Sequence, residues 1–232
     1  MDKIFIIGTT EYSFMIHSMI EQEKQYEVVG HTVNEKYIEE NEDICKKKGT
    51  RLYAFEKLHD FVYSNDRVNV VNTVGYSNMN QMRQKMYEQC RALGYRSVNY
   101  ISNRAICFSE IHGSGNIIFP GAYIGTNVDM GNNNVVYAGS VLTHDIIVGD
   151  HNFIAANSTV GGMVRIGDNC FIGMGSVIRN RLNISDYTLL GAGAYLDVDT
   201  DKEDVFVPSK ATKLLKKSSE VHLIPQRKMR IK

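Results

Sequence analysis

A six-residue period constrains this chain more than any other feature. Counted in sixes from Ile106 to Leu196, the first places are Ile, Leu or Val at fourteen of sixteen hexads, with Met130 and His112 the other two. The second place is glycine eight times, from Gly113 to Gly191, and the fifth is small or β-branched, as at Ala122, Ser140, Ser158, Cys170 and Thr188. A six-residue spacing does not keep to one face of an α-helix, whose period is 3.6. It fits a parallel β-helix in which each first-place side chain points inward and stacks on its equivalents in one continuous column. With three hexads per turn, residues 18 apart lie directly above one another, about one strand spacing (~4.8 Å) away.

The 105 residues before this stretch read differently. Short β-branched or apolar runs at Lys3–Ile7, Glu27–Gly30, Val68–Val74 and Ser97–Ile101 alternate with helical spacing at Glu11–Gln22, Glu35–Lys48 and Asn78–Leu93, where Met82, Met86 and Leu93 share a face. Such alternation predicts a parallel sheet with both faces covered. The first strand-to-helix loop, Gly8-Thr9-Thr10-Glu11, stands where such sheets hold phosphates at a helix N-terminus. It has a single glycine and is no dinucleotide fingerprint; a plain tight turn explains it equally well. The expected organisation is an α/β unit over 1–105, a β-helix of about five coils over 106–208, and a basic tail over 209–232.

Charge follows the same division. The whole chain balances 26 Lys+Arg against 26 Asp+Glu, which argues against nucleic acid as the main partner. Within it, the β-helical stretch is acidic and the tail basic. No run approaches the ~20 apolar residues of a membrane span, and Met1–Gly8 does not read as a secretory signal. Four cysteines without a CxxC pair fit reduced thiols in a cytoplasm.

Three histidines fall in the hexads. His112 takes a first, inward place near the open end, and His151, in Gly149-Asp150-His151-Asn152, reads as an exposed corner. His144 takes a third, outward place, stacked between Thr126 and Gly162 and followed by Asp145. The glycine leaves a groove beside the imidazole, and the carboxylate can orient it, the arrangement of a general base. The three histidines share no column, so no zinc site is expected.

The hexads resemble the left-handed β-helix of hexapeptide acyltransferases, which are trimeric. With the N-terminal βαβ unit, the whole is similar to sugar acetyltransferases of the sialic-acid O-acetyltransferase/PglD-like family. The matching stretches are Lys3–Gly8, Val71–Gly94, Val148-Gly-Asp150, Val164–Gly173 and Val207-Pro-Ser-Lys210. The resemblance implies a Rossmann-like nucleotide-sugar domain, with Gly8, Thr9, Thr10, Asn34 and Gly75 as nucleotide-sugar contacts. It implies His144 as base and Asp145 as its partner. It implies acetyl-CoA as co-substrate, with no tightly bound cofactor, along Asn157, Gly162, Gly173, Met174 and Ala192 at a subunit cleft, with Lys210 near its phosphates. Three positions depart from the family: the glycine-poor first loop, Val33-Asn34 where an acidic pair is usual, and Phe153 or Asn157 where many members carry a second histidine.

The reaction expected on this reading is N-acetylation of a nucleotide-linked amino sugar by direct attack on the thioester. O-acetylation of a free sugar such as sialic acid and a non-catalytic scaffold remain alternatives. In the tail, Lys210, Lys213, Lys216 and Lys217 surround Leu214-Leu215 as a short amphipathic helix would.

Overall fold

The computed structural model describes residues 1–62, 67–211, 213 and 215. The helix expected around Leu214 with Lys216 and Lys217 therefore lies outside the described residues. The N-terminal part is a parallel sheet of β1 (Lys3–Ile7), β2 (Glu27–Val33), β3 (Leu52–Ala54), β4 (Asn69–Asn72) and β5 (Arg96–Ser97), in the order β3-β2-β1-β4-β5. Alternate side chains of β1 serve opposite layers, as the strand's two-residue period requires. Phe5 and Ile7 pack with Phe55, Leu58, Val70 and Tyr95, whereas Ile4 and Ile6 pack with Ile16 and Ile20 of helix α1 (Glu11–Glu23). A second helix, α2 (Ile38–Lys47), precedes β3.

Helix α3 runs over Gln81–Ala92 and begins three residues later than its sequence spacing predicts. Asn78, Met79 and Asn80 are consecutively left-handed, with φ of 52°, 48° and 64°. A left-handed turn of L-residues costs roughly 1–2 kcal/mol per residue, so something must hold it. Asn80 Nδ2 donates to the carbonyls of Asn169 and Cys170, and Arg83 Nη1 donates to Asn80 Oδ1 at 2.9 Å. The buried face of α3 is Arg83, Tyr87 and Cys90. Met82 and Leu93 are exposed, so the expected Met82–Met86–Leu93 face is not the packed one. The reason is the partner surface: α3 lies on a β-helix corner rich in carbonyls, which calls for donors. Arg83, 0% exposed, donates to the carbonyls of Asn133, His151 and Asn152. Burial lowers its pKa to about 10, which leaves it charged at neutral pH.

From Tyr100 to Phe206 the chain forms three parallel sheets of two-residue strands. The first face carries Ile117–Ile118 and its stacked equivalents, the second Tyr123–Ile124, the third Asp129–Met130. Between Ile118 and Leu196 every pairing joins residues 18 apart, as in Val136 with Ile154 and Leu142 with Val160. The inward column, from Ile118 to Leu196, is buried throughout, and each such aliphatic is worth roughly 1.5–3 kcal/mol over the same side chain exposed. The first turn breaks the phase. Cys107 pairs with Ile124, a step of 17, which turns Ile106 outward to 53% exposure. His112 is correspondingly exposed and faces Glu110 at 4.0 Å; it is no inward cap.

From Gly121 to Gly193 each corner is turned by a left-handed residue at the fourth place of its hexad, among them Asn127, Asp145, Asn157, Met163 and Arg181. A ladder of buried asparagines runs beside the column. Asn134 Nδ2 donates to the Gly149 carbonyl and Asn152 Nδ2 to that of Gly167, while each Oδ1 accepts the backbone N–H one coil on. Cys170 ends the ladder, its thiol donating to the Ser185 carbonyl at 3.2 Å.

The sheet of β1–β5 and α1 packs on the outside of the first face, against Ile117, Phe119, Val135 and Phe153. The third face shows Asp129, Arg165 and Asn183 to solvent. The outer row of the second face is uncharged: after Ile106 it runs through Tyr123, Val141, Thr159, Val177 and Tyr195, the last two exposed. Among the described residues no helix is long and apolar enough to cross a membrane.

Candidate active site

His144 and Asp145 follow the second-face strand Val141–Leu142 and form the corner leading to the third face. Asp145 has φ of 54°, and this left-handed turn lets its side chain fold back toward its neighbour. His144 Nδ1 lies 2.8 Å from Asp145 Oδ2, and Asn127, one coil below, donates to Asp145 Oδ1 at 3.0 Å. The hydrogen bond from His144 and then that from Asn127 hold the Asp145 carboxyl below its ordinary value. With Nδ1 occupied, Nε2 is the nitrogen left for chemistry. The ring lies against Gly162 with Nε2 nearest: a Cβ on that residue would collide with Nε2 and stand 2.5 Å from His144 Cε1. The glycine is therefore what makes room for the imidazole.

The other expected histidine reading changes. His151 is 8% exposed. Its corner faces α3, where the ring meets Tyr87 at 5.6 Å and Nδ1 pairs with Asn133 Nδ2 at 2.8 Å. Burial lowers its pKa.

The residues expected to contact the two substrates partly converge. A groove of about 670 Å³ is lined by Thr10, Gly75, Tyr76, Gly173, Met174 and Ala192, with Tyr12, Tyr137, Phe153 and Phe171 behind them. Thr10, Gly75 and Tyr76 come from beyond the ends of β1 and β4 and Tyr12 from α1, the others from the first face and its corner with the second. Asn157 is exposed at that same corner, stacked on Gly139. Thr10 also caps α1, its hydroxyl accepting from Ser13 N–H while Ser13 Oγ accepts from Thr10 N–H. Gly8, at φ of 117°, has no room for a side chain beside Ser13 and Thr73, and Thr9 Oγ1 donates to Asn41 Oδ1. Asn34 lies apart, bonded to Glu56 and lining a second groove with Met82 and Lys85. Val207 and Pro208 pack over Gly191, and Lys210 beyond them is exposed.

His144 and Asp145 do not border the main groove. They stand at the far edge of the second face. Within one chain the candidate base and the convergent groove are on different corners of the prism.

Sequence reasoning missed the aromatic wall of the groove. Its signal was present: Phe153 and Phe171 are outward sixth-place residues one coil apart, and their rings stack at 5.6 Å. A second omission lies beneath the first loop. His31 is fully buried, its Nδ1 bonded to the Gly8 carbonyl and its Nε2 to His17 Nδ1 at 2.9 Å. Burial lowers the His31 pKa to about 4.

Residues 129–162 and 145–180 match the family described as bacterial transferase hexapeptide (six repeats). The matched stretch lies within the β-helix. Comparison with proteins of curated function finds no match. Among solved structures, the acetyltransferase domain of PglB from Neisseria gonorrhoeae FA1090 superposes with a TM-score of 0.74 at 19% identity, over 88% of this chain and 96% of that one. A histidine variant of GDP-perosamine N-acetyl transferase from Caulobacter crescentus, in complex with CoA and GDP-perosamine, superposes at 0.73 and 19%, over 92% and 98%. WeeI from Acinetobacter baumannii AYE superposes at 0.67 and 17%, over 88% and 93%. At these identities the likeness establishes a shared fold. Among the described residues no group of three His, Cys, Asp or Glu converges as a metal site would.

Proposed function

We propose that the chain is an acetyl-CoA-dependent N-acetyltransferase for the amino group of a nucleotide-linked amino sugar, with His144 as general base. The observation that carries this reading is the His144–Asp145 pair seated under Gly162 on a hexapeptide β-helix. The structural neighbours support the substrate classes: one holds CoA with GDP-perosamine, and the PglB acetyltransferase domain is known with acetyl coenzyme A.

Asp145, ionised, fixes the tautomer with the proton on Nδ1 and leaves the lone pair on Nε2, beside Gly162. A sugar amine attacks the thioester carbonyl carbon, forming the C–N bond. Nε2 takes the proton that the nitrogen must shed. The tetrahedral oxyanion collapses as the C–S bond breaks, and the imidazolium returns a proton to the departing CoA thiolate. Holding both substrates in one cleft supplies orientation.

That cleft needs a second copy. The second face separates His144 from the groove within one chain, and its uncharged outer row of Tyr123, Val141, Val177 and Tyr195 suits burial against another subunit. In a three-fold assembly the His144 corner of one protomer meets the Gly173–Met174–Ala192 corner of the next. The Rossmann-like order of the N-terminal sheet, the left-handed sense of the β-helix and the homotrimer belong to this reading. Lys210, past the turn over Gly191, is assigned to the CoA phosphates.

The test is direct. Purified protein is given acetyl-CoA and a panel of UDP-, dTDP-, GDP- and CMP-linked amino sugars, and both thiol release and acetylated product are measured. Transfer to at least one nucleotide-linked amine, abolished in His144→Ala, is the expected result. Transfer only to a free sugar hydroxyl, or none, overturns it.

A further inference from the structure

The strained turn at Asn78–Asn80 has a product, and that product is the position of Tyr76. The turn closes with Asn80 N–H on the Tyr76 carbonyl at 3.1 Å and is anchored to the β-helix through the Asn80 side chain. Tyr76 is thereby carried from the end of β4 across to the first face. Its ring centroid sits 5.0 Å from both Phe153 and Phe171, at interplanar angles of 64° and 51°. An aromatic ring braced on two others would ordinarily be buried, yet Tyr76 is 56% exposed and lines the groove. Gly75 before it has open space where a side chain would stand, so among the described residues nothing covers this wall.

We propose that Tyr76 is the platform for the sugar ring of the acceptor, and so a specificity-determining residue of the reaction. The inference rests on the acetyltransferase reading above. Two features select the sugar over the pantetheine arm of CoA. One rim of the groove, Thr10 and Gly75–Ser77, lies at the carboxyl ends of β1 and β4, where open parallel sheets hold their ligands; a ligand anchored there reaches Tyr76 first. A pyranose presents C–H groups on its faces and hydroxyls at its edges, which matches an aromatic plane in a groove whose lining also includes Thr10, Ser77 and Tyr137. Aromatic walls with a few placed polar groups are how small-molecule sites combine affinity with orientation.

The chain contains no tryptophan, so Tyr76→Trp installs a single indole at the platform. Emission of this variant is followed on adding each UDP-, dTDP-, GDP- and CMP-linked amino sugar of the panel above, the matching nucleotide alone, and CoA alone. A change with an amino-sugar nucleotide, absent with its nucleotide and with CoA, is expected. Steady-state kinetics supply the second readout: Tyr76→Ala raises the acceptor KM at least tenfold, leaves the acetyl-CoA KM within twofold, and Tyr76→Phe restores the wild-type value. An indole response to CoA alone assigns the groove to the donor and overturns the proposal, as does an unchanged acceptor KM in Tyr76→Ala. If wild-type protein acetylates no nucleotide-linked amine, the acetyltransferase reading falls and the platform falls with it. If wild-type transfer is normal and only the Tyr76 results fail, the platform alone is wrong.

Discussion

His144 and Gly162 occupy one site between them: the imidazole fills the space that any side chain on the glycine would need. Gly162 lies outside the left-handed region, so alanine there is tolerated by the backbone and rejected only by the ring. Gly162→Ala should cut turnover at least tenfold, about 1.4 kcal/mol of barrier, with an unchanged melting temperature. Full activity in this variant would show that the imidazole works from another position.

His144→Ala should lose roughly 10²–10⁴ in kcat, the usual contribution of a positioned base, with fold and assembly intact because the side chain lies outside the inward column. Asp145→Asn should cost less, since an amide oxygen can still accept from Nδ1. Steady-state kcat and melting curves of both variants check this, and a His144→Ala enzyme that keeps more than a tenth of wild-type turnover would place the base elsewhere.

His31 sets a pH dependence of stability. Its imidazole titrates near 6.5 in the unfolded chain and at about 4 in the fold. As pH falls between these values the unfolded chain binds a proton that the folded chain refuses, so stability present above pH 6.5 is lost on acidification. The loss levels off below pH 4 and amounts to about 3 kcal/mol at most. Urea unfolding at pH 7 and pH 5 should show the decline, and His31→Gln should flatten it.

Arg83→Met should destabilise by about 3–5 kcal/mol, because it strips the donors from three buried carbonyls and frees the Asn80 turn. Lysine should not rescue it, since one ammonium cannot span the corner as a guanidinium does. His151→Ala should also destabilise, by about 1–3 kcal/mol, leaving a void beside Tyr87 and Asn133 without its partner. Chemical unfolding measures both; a neutral His151→Ala would return that residue to the surface.

The hexads were legible between Ile118 and Leu196 because one environment recurs every six residues and admits only small or aliphatic side chains inside. The first turn was not, since nothing in the sequence marks the 17-residue step that exposes Ile106 and His112. Helix α3 misled for a different reason. Its apolar stripe is real, but the surface it meets is a row of carbonyls, and Arg83 outcompetes methionine there. His144 could be singled out because its neighbours one coil away are set by the period, whereas His151 looked exposed until α3 covered it. The aromatic groove needed both halves of the chain at once: Tyr76 and Phe153 are remote in sequence, and only the left-handed turn brings them together.

The asparagine ladder has a consequence for how such a chain can change in length. Each rung bonds only to the coil above and the coil below, through the same atoms every time, so a duplicated or deleted block of 18 residues finds the same neighbours waiting for it. Inserted beyond Leu196, such a block would lengthen the prism and leave both His144 and the groove undisturbed. Inserted between His144 and Gly162, a block that carries the ladder asparagine but a larger residue 18 positions after His144 would keep the ladder and still take the glycine from above the imidazole. The scaffold is indifferent to its own length, and the placement of the chemistry along it is the quantity left for selection to fix.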